Sequence, residues 1–132
     1  EQTVENALLR LMNKNPAIKI LGVPVPDMYH LWQLGKDDCG WIWDMFSVCS
    51  NLLSSGNSDA DRKHFKERLD DLNQSLKSIS DKYPLNIFFD DDLAGYKFKK
   101  EDVSRKDCFH PSLKGQNELS QMTWQEEWLN QE

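Results

Sequence analysis

Ala17-Ile18-Lys19-Ile20-Leu21-Gly22-Val23-Pro24-Val25-Pro26 is the stretch from which the architecture can be worked out. From Ile18 to Val23 its apolar run is interrupted only by Lys19. A near-continuous run of this length suits a parallel strand covered on both faces, whereas a half-solvated antiparallel strand alternates. Pro24 and Pro26 end it, because proline cannot donate to a strand ladder. Upstream, Val4, Ala7, Leu8, Leu11 and Met12 recur at helical spacing behind Thr3, a residue suited to an N-cap. Asn13-Lys14-Asn15-Pro16 closes that helix, since proline biases the residue before it away from helix. Helix, proline-marked turn and buried strand make the αβ half of a βαβ unit.

Downstream, Asp27 to Trp43 is rich in aromatic residues, with Tyr29, Trp32, Trp41 and Trp43. It follows the carboxyl end of the expected strand, where open α/β sheets place ligands. A second helix is expected over Trp41 to Leu53, then a polar loop at Ser54-Ser55-Gly56-Asn57-Ser58. Phe65, Leu69, Leu72, Leu76, Ile79 and Tyr83, spaced four and three apart, predict a long amphipathic helix. Ser58 and Asp61 at its start resemble a capping box. His64 on that helix has no partner at ligand spacing and is assigned no function. Leu85 to Phe89 reads as a second strand. Asp90-Asp91-Asp92 after it reads as a solvated strand end, because no calcium-loop pattern follows. A last helix is expected from Pro111, placed in its first turn, to about Leu129.

Composition narrows the function classes. Hydrophobic residues are 39% and charged residues 29% of the 132, as in a soluble globular domain. The net charge is −6 and no basic stripe is present, so nucleic acid is not an expected partner. No apolar run is long enough to span a bilayer. None of the three cysteines, Cys39, Cys49 and Cys108, forms the CxxC pair of a zinc or redox site, and no metal centre or cofactor is expected. They allow at most one internal disulfide; proximity in sequence favours Cys39–Cys49.

Chemistry concentrates in Asp107-Cys108-Phe109-His110-Pro111. An Asp three residues before a His can turn back onto the imidazole Nδ1–H. That bond fixes the tautomer and leaves Nε2 to take a proton from a nucleophile. A bare Asp-x-x-His arises often by chance, and its bland counterpart is an Asp that caps a turn beside a His at a helix start. A metal site built from Asp107, Cys108 and His110 is weaker still, because three ligands within four residues crowd one another.

The longer stretch Asp107-Cys108-Phe109-His110-Pro111-Ser112-Leu113-Lys114-Gly115-Gln116 resembles the last conserved block of the SGNH (GDSL) hydrolases, where Asp-x-x-His is followed by Pro and, a few residues on, Gly. Val23 to Trp32 is similar to the segment after that family's fourth strand. Cys49 to Ser54, with the long helix, is similar to the next part of the chain in the family's secreted bacterial branch. The resemblance implies that residues 1–132 are the C-terminal half of a flavodoxin-like α/β/α sandwich, with two parallel strands in this chain. It implies an esterase or lipase with a Ser-His-Asp triad, in which His110 is the general base and Asp107 orients it. No Gly-Asp-Ser and no Gly-x-Asn-Asp block occurs, and Ser54-Ser55-Gly56-Asn57 is no substitute, since it does not follow an apolar strand. The serine is therefore expected on an N-terminal chain or segment of the same enzyme, to which this one binds. The implied substrate is an ester or lipid, with contact to a lipid surface, in a secreted or extracytoplasmic setting. Trp32, Trp41 and Trp43 are candidates for the acyl pocket, against core packing as the blander account of each. The rival reading of the whole chain is a non-catalytic binding or interaction module that keeps part of the fold.

Overall fold

The computed structural model describes residues 2–124. The chain is mostly helical, with one small parallel sheet: α1 (Gln2–Lys14), β1 (Ile20–Gly22), α2 (Met28–Met45), α3 (Ser50–Leu53), α4 (Asp59–Lys82), β2 (Ile87–Phe89), two 3-10 turns at Asp92–Gly95 and Lys100–Asp102, and α5 (Leu113–Thr123). β1 and β2 pair in parallel with Ile20, Leu21 and Gly22 opposite Ile87, Phe88 and Phe89. Parallel neighbours need a long crossover, which α2 to α4 provide. Among the described residues neither strand has a second strand neighbour.

Local chemistry sets the element ends. The Ser58 hydroxyl accepts from the Asp61 N–H while the Asp61 carboxylate accepts from the Ser58 N–H, so α4 starts with the capping box its sequence suggests. Asp27 caps α2 by accepting from the His30 N–H at 3.0 Å. α2 therefore begins far earlier than the expected Trp41, and it takes in most of the aromatic stretch. It stops at Met45, and α3 is a separate turn. Between them Ser47 (φ 52°) and Cys49 (φ 41°) adopt the left-handed conformation that breaks a helix. The strands are shorter than the apolar runs that announced them, and Ile20, Leu21 and Gly22 are half-buried rather than covered on both faces. The expected end of the last helix at Leu129 lies outside the described residues.

Two apolar clusters hold the molecule. Met12, Ile79 and Ile87 form one, with Leu8, Leu9, Ile18, Ile20 and Tyr83 packed around them; it fastens α1 and α4 to the sheet. The stripe on α4 is unevenly covered: Ile79 is 1% exposed and Leu72 43%. The second cluster is Trp43, Leu52 and Leu53, and on it sit Trp32, Phe65, the cysteines, and Phe109 from the loop before α5. Buried Arg62 ties this region together, donating to the carbonyls of Leu52, Ser54 and Asn57 while its guanidinium lies 4.3 Å from the Trp32 ring centre. On α4 the Asn73 side-chain amide both accepts from the Val25 N–H (2.9 Å) and donates to the Val25 carbonyl (2.8 Å), pinning the segment that leaves β1.

Candidate active site

Asp107 and His110 lie on a loop whose base is closed before its tip is shaped. Val103 and Pro111 form an antiparallel bridge, and the Ser112 N–H donates to the Asp102 carbonyl at 2.8 Å. Inside it the Ser104 N–H donates to the His110 carbonyl (2.8 Å) and the Cys108 N–H to the Ser104 carbonyl (2.9 Å). Ser112, not Pro111, starts α5: its hydroxyl accepts from the Gly115 N–H at 3.1 Å, and Pro111 lies one residue before the cap. Gly115 is needed because a Cβ there would fall on the Asp102 backbone carbonyl. Asp102 is itself buried. Its Oδ2 accepts from the Tyr96 hydroxyl and the Lys99 N–H, each at 2.9 Å. Burial and the bond to Asp102 push the Tyr96 phenol up to about 12.

The four residues of the tip do four different things. The Asp107 carboxylate turns back on the chain. Its Oδ1 accepts from the N–H groups of Phe109 (3.0 Å) and His110 (3.1 Å), and its Oδ2 stands 2.8 Å from His110 Nδ1. Burial works against the charge on Asp107, but the His110 ring and the two amides outweigh it and hold the carboxyl below its usual range. An ionised carboxylate only accepts, so Nδ1 carries the shared proton and Nε2 is the acceptor of the neutral ring. The His110 side chain is 72% exposed. Cys108 has φ 55°, a left-handed conformation costly for a residue with a Cβ. Two tethers hold it there: a disulfide to Cys39 on α2, with Cα atoms 6.0 Å apart, and a hydrogen bond to its carbonyl from Trp43 Nε1 at 3.2 Å. Phe109 drops into the second cluster, its ring edge-on to the His110 imidazole with centres 5.2 Å apart.

One sequence expectation changes here. The disulfide is Cys39–Cys108, not Cys39–Cys49; Cys49 is free, and burial pushes its thiol up. Cys108 thus has no thiolate to offer a metal, and no group of three ligating side chains occurs among the described residues. The three candidate pocket tryptophans do not converge. Trp43 is a core residue beneath the loop, Trp32 is half-buried under Arg62, and Trp41 is 63% exposed and lines a cleft on α2 apart from the other two. Cys39, Phe109 and Trp43 position the dyad without taking part in it. The visible sign for Phe109 is a large apolar residue in a polar loop, which needs somewhere to be buried.

A cleft of about 510 Å³ opens between α2 and the segment from Lys100 to Cys108. The Cys39–Cys108 disulfide lines it, but neither Asp107 nor His110 does. No family model, no curated protein and no solved structure matches this chain. No helix among the described residues is long and apolar enough to cross a membrane.

Proposed function

We propose that this chain supplies the His-Asp arm of a Ser-His-Asp ester hydrolase of SGNH (GDSL) type, with the nucleophilic serine on an N-terminal chain or segment of the same enzyme. The observation that carries the reading is the dyad: Asp107 Oδ2 is 2.8 Å from His110 Nδ1, on a loop tethered by the Cys39–Cys108 disulfide, with the His110 side chain 72% exposed. In the assembled enzyme Nε2 takes the serine proton as the hydroxyl attacks the ester carbonyl. Asp107 stabilises the imidazolium formed, which then protonates the leaving alcohol. Water, activated by the same nitrogen, releases the acid. The oxyanion donors come from the serine-bearing part.

The sheet supports this partition. Two strands are too few for an independent sheet, and the edge of β1 that no described strand pairs, together with the half-covered stripe of α4, suits further parallel strands of a flavodoxin-like α/β/α sandwich. The Cys39–Cys108 disulfide suits a secreted or extracytoplasmic enzyme. The test is hydrolysis of a short p-nitrophenyl ester by this chain co-expressed with its serine-bearing segment. His110→Ala and Asp107→Asn should each lower kcat by about 10³–10⁴-fold with the fold retained. Wild-type rates in either variant would refute the assignment.

A further inference from the structure

The cleft between α2 and the Lys100–Cys108 segment does not include the dyad, and one of the four charges that line it has no partner among the described residues. Its floor is apolar, formed by Leu31, Leu34, Ile42 and Val103, with Trp41 at the mouth. From Leu31 to Ile42 it follows three turns of α2, a run of about 16 Å. The apolar strip continues past it to exposed Met45, one helical turn beyond Trp41. Four charged residues line the cleft, and three are neutralised. Lys100 pairs with Asp38, and Glu101 pairs with Lys114 from α5. Arg105 has no hydrogen bond or ion pair among the described residues. Beside it the Ser104 hydroxyl accepts from the Lys106 N–H and keeps its own proton to donate.

An apolar trough lined also by one exposed, unpaired guanidinium and a free hydroxyl donor matches a monoanion with a hydrocarbon tail. We propose that the cleft binds a medium-chain alkanoate, its chain along α2 against Ile42 and Val103 and its carboxylate on Arg105 and Ser104. Arginine suits the role because its planar fork meets both carboxylate oxygens. The volume is within the range of small-molecule sites. The inference stands on the cleft alone and needs no hydrolytic activity. If the hydrolase reading also holds, the ligand is the acid half of its ester.

The experiment is a titration of the ¹⁵N-labelled chain with sodium decanoate below its micelle concentration, followed by amide, indole and guanidinium shifts. Shifts are expected at Trp41 Nε1–H, Ile42, Val103 and Arg105. Arg105→Gln should weaken decanoate about tenfold, the worth of one charge-assisted contact. Decanol should bind wild type no better than decanoate binds that variant. Val103→Trp, which fills the trough, should abolish both; if it unfolds the chain, Leu34→Asp serves the same purpose. Equal affinity for decanol and decanoate, equal affinity for acetate and decanoate, or shifts centred on Val4 and Leu72 would each overturn the proposal. So would self-association through Trp41 that decanoate does not displace. Because binding is read on this chain alone, a negative result leaves the esterase test standing, and an inactive enzyme leaves this one standing.

Discussion

Removing the disulfide by Cys39→Ser with Cys108→Ser tests how the site is held. The bridge joins positions 69 apart in sequence. Cross-linking a loop of that length lowers the entropy of the unfolded chain enough to stabilise the fold by about 4.4 kcal/mol at 25 °C. Part of this is offset in the native state, because Cys108 is held at φ 55° and its release recovers about 1 kcal/mol of backbone strain. The expected net loss is thus about 3 kcal/mol, a large share of the stability of a domain this size. Urea unfolding followed by tryptophan fluorescence measures it, and the double variant should also show a larger m-value, since its unfolded chain is more expanded. The Trp43–Cys108 hydrogen bond and the burial of Phe109 remain, so the loop should stay docked while its tip loosens. A loss below about 1 kcal/mol with unchanged m would refute the account, because the loop-closure contribution would then be absent.

Three further outcomes concern the same loop. Asp107 has its folded carboxyl below the ordinary 3.8, so its contribution is present above that pH and is lost as pH falls through the lower folded value; the stability gap between wild type and Asp107→Asn should narrow over that acid window in urea titrations. Tyr96→Phe removes one of the two donors to Asp102 Oδ2 and should cost about 1–3 kcal/mol. In ultraviolet titration of the wild type, one tyrosine should ionise only near about 12, and the variant should lack it. Gly115→Ala drives a methyl into the Asp102 carbonyl and should destabilise by about 3 kcal/mol in thermal melts. Its amide shifts should spread from α5 to Val103 and Pro111, which that contact keeps in register.

How much the sequence discloses depends on how local the cause is. The start of α4 is legible to the residue because its cap and its stripe are both local in sequence. The Asp107–His110 contact is legible for the same reason: a three-residue spacing closes on itself. The extent of α2 is not. Gly35 and Gly40 argue against a helix, and the reason Gly35 is tolerated is tertiary: a Cβ there would stand 2.8 Å from the Trp43 ring. Of the aromatic run that suggests a ligand site, Trp32 and Trp43 instead lie on α2 where it meets the second cluster, Trp32 beneath Arg62. Spacing also misleads on the partner of Cys39, since proximity favours Cys49 and the structure pairs it with Cys108. The choice is made by Phe109, which docks the loop and carries Cys108 to α2 with it. The split between α2 and α3 has no glycine to mark it, since Ser47 and Cys49 take the left-handed turns themselves.

The Asn73 side chain has a consequence for how the molecule opens. A carboxamide that accepts from one N–H and donates to the carbonyl of the same residue imitates a neighbouring peptide group, so Val25 is bonded as if a strand ran beside it. Its partner, however, is the middle of a helix. The Val25 amide can exchange with solvent only when α4 lifts or Asn73 changes rotamer, which makes it a reporter of helix motion placed outside any helix. In deuterium exchange it should keep pace with the amides of mid-α4 and not with those of the proline-rich segment around it, and Asn73→Leu should uncouple the two.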